Sequence, residues 1–252
     1  MTELTIRALK GLPLIKPNDN LATIIIEGLE RESIALQPSD VLVISSKIIS
    51  KSEGRFVDLT TVVPRPEARD LAQQTDKDPR IVELILQESV GISRQAKGVL
   101  VAQHRLGFIS ANAGIDQSNV GQDDEIVLLL PQDPDHSAQA LRQALEHLTG
   151  VKLGIIISDT HGRPFRLGNV GVAIGVSGLP ALLDLRGQHD LFGRELKISM
   201  QGYADLIASS AHLVCGEGDE GLPVVLVRGL DYQDADGKAS DLYRSPEQDL
   251  YR

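Results

Sequence analysis

Continuous apolar runs alternate along the chain with stretches of helical period. Leu4 to Leu9 reads as a strand, followed by a turn built from Gly11, Pro13, Pro17 and Asn18. Leu21 to Leu29 has the spacing of a helix, with Asn20 as its N-cap. Pro38-Ser39-Asp40 interrupts, and Val41-Leu42-Val43-Ile44 predicts a buried strand. Ser45 to Gly54 is a polar run broken only by Ile48 and Ile49. Pro66 to Ser89 predicts two helices parted near Asp78-Pro79, with Ile81, Leu84 and Ile85 on one buried face. Residues 97–115 read as β-rich, and Asp123 to Leu130 as a further strand stopped by Pro131. Ser137 to Leu148 predicts an amphipathic helix with Leu141, Ala144, Leu145 and Leu148 on one face and Gly150 as its C-terminal cap.

The second half has a different texture. Leu153 to Ile157 is a short apolar strand that delivers Ser158-Asp159-Thr160-His161-Gly162. A glycine-spaced stretch follows from Gly168 to Gly178, where small residues let strands and backbones pack closely. Asp205 to Val214 predicts a helix and Leu222 to Val227 a final buried strand. The polar tail from Asp231 to Arg252 is expected to be poorly ordered or draped over a partner, which divides the chain into 1–230 and 231–252. No fixed-period repeat is evident. Strands and helices mix without strict βαβ alternation, which favours an α+β fold.

Charge and composition narrow the function. With 25 basic and 35 acidic residues among 252, the formal net charge is −10. Such a chain has no general electrostatic reason to bind nucleic acid or an anionic membrane. Aromatics are only 3% and Trp is absent, so base-stacking surfaces are not expected. No apolar run approaches the roughly 18–20 residues that cross a bilayer. Met1 to Lys10 lacks the pattern of a signal peptide. One cysteine, Cys215, excludes an internal disulfide framework and a cysteine-based zinc cluster. A cytoplasmic protein is expected.

Candidate chemistry gathers at turns. Asp116 lies in Ala111–Asn119, Asp159-Thr160 follows an apolar strand, and Glu217 lies in Gly216–Gly221. A carboxylate beside a buried strand needs a positive partner. Carboxylates and hydroxyls without a Cys or His cluster suit a hard ion, Mg²⁺ or Mn²⁺. Each acid equally serves as a helix cap or Asx-turn. Gly216–Gly221 matches G-x-G-x-x-G, but the apparent order is helix, loop, strand, and Glu217, Asp219 and Glu220 repel a pyrophosphate; the dinucleotide reading is rejected. Ser46, Lys47, Lys51 and Arg55 after a buried strand can grip phosphates, or form a solvated turn. Arg163 and Arg166 are further anion-binding candidates. A lone His161 receives no role.

Six segments in one order carry a resemblance: GLPLIKPNDNL (Gly11–Leu21), DVLVISSKIISKSEGR (Asp40–Arg55), ANAGIDQSN (Ala111–Asn119), SDTHGRPFRLGNVGVAIGVSG (Ser158–Gly178), DLFGREL (Asp190–Leu196) and GEGDEGLPVVLVRGL (Gly216–Leu230). The set resembles the coenzyme F-420 gamma-glutamyl ligase family over about residues 4–245. The resemblance implies a GTP-dependent enzyme that adds L-glutamate to the deazaflavin precursor F-420-0. It further implies two intimate subdomains with mixed sheets, an intertwined homodimer, two Mg²⁺ or Mn²⁺ ions, and K⁺ as activator. By the same resemblance Asp116 and Asp159 hold one ion and Thr160 and Glu217 the other. GTP contacts then fall on Leu12, Pro13, Leu14 and Ile15, on Ser46, Lys47 and Lys51, and on Asn119. They also fall on the loop Cys215, Gly216, Glu217, Gly218, Asp219, Glu220, Gly221 and Leu222. His161, Lys47 and Cys215 depart from residues familiar in relatives. A non-catalytic nucleotide-binding regulator and a metal-dependent phosphohydrolase remain alternatives.

Overall fold

A computed structural model describes residues 3–121 and 123–249. In chain order the strands and helices are β1 (Thr5–Ala8), α1 (Leu21–Arg31), β2 (Val41–Ser45), α2 (Ser46–Ser52), β3 (Phe56–Asp58), α3 (Pro66–Thr75), α4 (Pro79–Gln87), β4 (Ser89–Ala96), β5 (Val99–His104), β6 (Ile109–Ala111), β7 (Ile126–Leu128), α5 (Pro134–Thr149), β8 (Gly154–Arg163), β9 (Arg166–Ser177), β10 (Leu182–Asp184), β11 (Met200–Gly202), α6 (Tyr203–Cys215) and β12 (Val224–Arg228). The mixed α+β class is as expected.

The central sheet has five strands in the order β1-β12-β2-β8-β9, and only β2 and β8 run parallel. Both faces are covered there, so β2, β12 and the first half of β8 (Gly154 to Ile157) read as continuous apolar runs rather than alternating ones. On one face Leu42, Ile44, Ile155, Ile157 and Leu226 pack with Leu21, Ile25 and Leu29 of α1 and Leu141 and Leu145 of α5. On the other, Val41, Val43, Ile156, Val225 and Val227 pack with Ala204, Ile207, Ala208 and Ala211 of α6. Each such Val, Leu or Ile side chain contributes about 1.5–3 kcal/mol on full burial.

The stretch between α2 and α5 forms smaller sheets, β4-β5-β6 and β3-β7, over apolar clusters of its own. Helix ends follow local chemistry. Asn20 Oδ1 accepts from the Thr23 backbone N–H, Asp78 and Asp133 cap α4 and α5, and Gly150 closes α5 in the left-handed region at φ 70°.

Several expectations need correction. Ser45–Gly54 is mostly helix, because Ser46, Ile48, Ile49 and Ser50 point inward. Helix α5 starts earlier, at Pro134, and Leu148 turns out to solvent at 56% exposure while Leu141 and Leu145 are buried. The strand expected over Asp123–Leu130 shortens to Ile126–Leu128. Strand β8 does not stop at Ile157 but continues to Arg163, paired along its length with β9. Within that pair Ile157 faces Gly175 and Ser158 faces Ala173, so Ile174 is spare and forms a bulge.

The glycine-spaced stretch is β9, and its small residues do allow close approach. A Cβ on Gly175 would meet the Pro134 carbonyl oxygen at 2.4 Å. The tail beyond Asp231 packs against its own chain: Ala239 is buried, Leu242 lies against the α6 side, and Tyr243 sits edge-on to Phe108. Asp135 accepts hydrogen bonds from both Val176 N–H at 2.8 Å and Ala239 N–H at 3.1 Å, and residues 250–252 of the tail lie outside the described residues. Among the described residues no helix is long and apolar enough to cross a membrane.

Candidate active site

Because β2 and β8 are parallel, Ser45 and Ser158 are register partners, so the C-terminal end of β2 lies beside the middle of β8, which runs on to Arg163. Ends of parallel strands are a usual place for ligands. Beyond Ile157, side chains keep the alternation of a strand. Asp159 and His161 continue the face of Ile155 and Ile157. There Asp159 Oδ1 accepts from Ser46 Oγ at 3.1 Å, and Oδ2 lies 3.2 Å from His161 Nε2. The Phe108 ring tilts against His161 at 5.0 Å. Ser158 and Thr160 continue the face of Ile156, toward α6. Ser158 Oγ lies 3.3 Å from His212 Nε2, and Thr160 Oγ1 donates to Glu217 Oε1 at 3.1 Å.

Helix α2 opens where β2 ends, which sets Ser46, Lys47 and Lys51 at the same edge. Opposite them runs the loop after β6. Asp116 is anchored by paired backbone hydrogen bonds to Leu128, 2.9 Å each way. Its Oδ1 accepts from the Ser118 N–H and hydroxyl, both at 2.8 Å. Its Oδ2 meets Lys47 Nζ at 2.7 Å. Ser46, Lys47, Asp116 and Asp159 line one small cleft floored by Leu128, Leu129 and Leu130.

Lys51 donates to the Asn119 carbonyl at 2.6 Å, and among the described residues no carboxylate is within ion-pair distance of it. Burial, then the neighbouring Lys47 ammonium, pull its pKa below the ordinary lysine value, while Asp116 acts the other way. An anion placed there would relieve that strain on the charged form. Asn119, itself left-handed at φ 54°, donates from Nδ2 to Gly218 O at 2.9 Å. Thus Lys51, Asn119 and the loop after α6 form one chain of contacts. That loop is folded on itself, with Gly218 N–H donating to Glu220 Oε2 at 2.8 Å. Cys215 ends α6, where burial and the Glu217 and Glu220 carboxylates push its thiol pKa up.

The sequence-derived residues therefore meet unequally. Asp116 and Asp159 share a cleft, and Thr160 and Glu217 are hydrogen-bonded, but these pairs lie toward opposite faces of β8. Among the described residues no three His, Cys, Asp or Glu side chains group as a ready cage. Carboxylate and hydroxyl oxygens still suit Mg²⁺ or Mn²⁺, which commonly take one or two protein carboxylates with substrate phosphates completing the shell. A cation held by Asp116 Oδ2 would have to displace the Lys47 ammonium, which lies 2.7 Å from it. Of the N-terminal segment, Leu12 covers Gly28, Ile15 is buried in the core, and Pro13 and Leu14 are exposed. Arg163 closes the β8–β9 turn through Leu167 O at 2.9 Å, and Arg166 is exposed on the hairpin, both away from the cleft lining.

His161, Ser118 and His212 escape the sequence reading. The alternation Ser158-Asp159-Thr160-His161 carried a signal for His161, since residues 159 and 161 share a face. Ser118, two residues after Asp116, has the spacing of an Asx-turn. Nothing local marks His212.

A second ionic cluster supports this site. The Leu106 N–H donates to His104 Nδ1 at 3.0 Å, which leaves the ring proton on Nε2, 3.6 Å from Glu88 Oε2. Arg55 and Arg105 each reach the same carboxylate at 3.1 Å. Burial alone would raise the Glu88 pKa, but His104, Arg105 and Arg55 outweigh it and hold it at about 2. His104 in turn stacks on Phe108 with ring centroids 5.0 Å apart.

The family model described as F420-0:Gamma-glutamyl ligase matches residues 11–229. The coenzyme F420:L-glutamate ligase of Methanopyrus kandleri is 46% identical over 242 residues, 94% of this chain and 93% of the relative. The protein of the same name from Methanothermobacter thermautotrophicus is 44% identical over 96% of both chains. That of Haloarcula marismortui is 40% identical over 97% of this chain and 94% of the relative. With a match this long, over a cleft that joins β2, β8 and the loops after β6 and α6, the chain belongs to the F420-0:gamma-glutamyl ligase family.

Proposed function

We propose that this chain is a GTP-dependent ligase that joins L-glutamate to F-420-0 as an amide, the number of glutamates added being read from the product mass. A free carboxylate does not acylate an amine at neutral pH, because oxide is too poor a leaving group. In the proposed reaction a carboxylate oxygen of F-420-0 attacks the γ-phosphorus of GTP and GDP leaves. The glutamate amine then attacks the acyl phosphate carbonyl, phosphate leaves with the C–O bond electrons, and the amine proton passes to solvent or phosphate. Lys51 neutralises a phosphate, and Asn119 fixes the Gly216–Gly221 loop against it. Asp116 and Asp159 hold one divalent ion, and Thr160 and Glu217 the other, with K⁺ as activator. These ions supply charge neutralisation between phosphates and an anionic acceptor.

The observation that carries the reading is the half-buried Lys51, its charge under-compensated, beside a cleft that also holds Asp116 and Asp159. Relatives named for this activity support it. Incubation with GTP, Mn²⁺, F-420-0 and L-glutamate, followed by coenzyme mass measurement, tests it. A gain of glutamyl mass is expected. GDP released with no mass gain means a phosphohydrolase, and nucleotide binding without turnover means a regulator.

We also propose a homodimer. Phe165 and Leu167 at the hairpin tip, and Leu191, Phe192 and Ile198 beyond it, are 88–100% exposed, more than isolated surface apolar residues need. Sedimentation of the purified chain is expected to give twice the monomer mass; a monomer at working concentration overturns it.

A further inference from the structure

Glu217 sits on an exposed glycine loop, and its side chain is 61% exposed. A carboxylate in such a place ordinarily samples many rotamers. Here two donors converge on one of its oxygens: Thr160 Oγ1 at 3.1 Å and His212 Nδ1 at 3.4 Å, both to Oε1. Among the described residues no hydrogen bond is made to Oε2. The other ring nitrogen of His212 is also occupied, with Ser158 Oγ 3.3 Å from Nε2. A neutral imidazole bonded at both nitrogens has one consistent arrangement: the Ser158 hydroxyl donates to Nε2, and the Nδ1 proton goes to Glu217. The reverse tautomer would turn a lone pair onto a carboxylate. With the Thr160 proton also spent on Oε1, its oxygen lone pairs and Glu217 Oε2 are the groups left for a ligand.

The seat of the ring is built by a neighbouring strand. A Cβ on Gly171 would lie 2.3 Å from His212 Cδ2, so any larger residue displaces the imidazole. Ser209, one turn earlier on α6, donates to Gly171 O at 2.6 Å and fixes the helix against β9 at that point. Ser158, His212 and Glu217 have the connectivity of a nucleophilic triad, yet Ser158 is 4% exposed and closed to a substrate.

We infer that His212 is a positioning residue: seated against Gly171 and oriented by Ser158, it holds Glu217 Oε1 so that Oε2 and Thr160 Oγ1 face a divalent cation. The inference rests on Glu217 being a cation ligand. Partners that orient a metal ligand typically change affinity by about 10–100-fold when removed.

The test is Mn²⁺ uptake followed by electron paramagnetic resonance, with the Mn²⁺ dependence of ligation measured alongside. His212→Leu is expected to weaken one class of Mn²⁺ site by roughly 10–100-fold, with turnover recovered at saturating Mn²⁺. His212→Asn, which keeps a donor near the Nδ1 position, stays near wild type, whereas His212→Gln, whose amide reaches instead toward Nε2, behaves like His212→Leu. Gly171→Ala gives the His212→Leu pattern with the histidine still present. Should His212→Leu not fold, the contrast between His212→Asn and Gly171→Ala carries the test. Unchanged Mn²⁺ binding in folded His212→Leu or Gly171→Ala overturns this role while leaving the ligase reading intact. A wild-type chain that takes up no Mn²⁺ overturns both.

Discussion

Replacing Glu88 by glutamine removes the negative centre of the ion cluster beneath the site. Its carboxyl is held at about 2 rather than the ordinary 4.5, and its side chain is 13% exposed, so solvent screening is limited. Each decade of proton affinity is worth about 1.4 kcal/mol, so this fall amounts to about 3 kcal/mol of folding stability at neutral pH. The sign follows from the folded value lying below the unfolded one. The contribution is complete above pH 4.5 and fades as pH falls toward 2. Glu88→Gln also leaves Arg55 and Arg105 facing a neutral amide. Urea denaturation at pH 7 should show the variant less stable by about 3 kcal/mol, and the gap should narrow as both proteins are acidified below pH 4.5. A deficit under about 1 kcal/mol at pH 7, or one that does not change with acid, would refute the linkage argument. Because His104 links this carboxylate to Phe108, the variant should also loosen packing around His161, readable as faster amide exchange in β8.

Two further outcomes bear on the cleft. Asp116→Asn and Asp159→Asn should each abolish ligation with melting temperature nearly unchanged, and normal turnover at saturating Mn²⁺ would contradict their assignment. Lys51→Ala removes a charge-assisted contact of about 1.5–3 kcal/mol, so the GTP concentration for half-maximal rate should rise roughly 10–100-fold; an unaltered GTP dependence removes Lys51 from the nucleotide site.

Much of the scaffold was legible because burial writes itself into short-range pattern. Val41–Ile44 is apolar at every position because both of its faces are covered, and Asn20 and Gly150 mark helix ends through local chemistry. The α2 segment was harder, since a seven-residue helix with hydroxyls as well as isoleucines inward carries too little apolar signal. For the site, oxygen-bearing side chains at turns pointed to Asp116, Asp159 and Glu217. Their partners were not legible. Lys47 on Asp116, Asn119 on Gly218 and His212 on Glu217 are set by how α2, the loop after β6 and α6 converge, and the first two pairs span 69 and 99 positions of sequence. The fastening of the described part of the tail is not legible in its polar composition, because it depends on a few residues such as Ala239 and Tyr243.

The spare residue in β9 has a consequence for how this protein tolerates change. Ile174 lets β9 shift phase beside Ser158 while β8 runs through unbroken. A deletion or insertion within β8 would slide its distal half by one place and exchange the two sides, carrying the carboxylate of Asp159 toward α6 and the hydroxyl of Thr160 toward Ser46. The stretch from Gly154 to His161 thus behaves as a ruler whose every notch is committed.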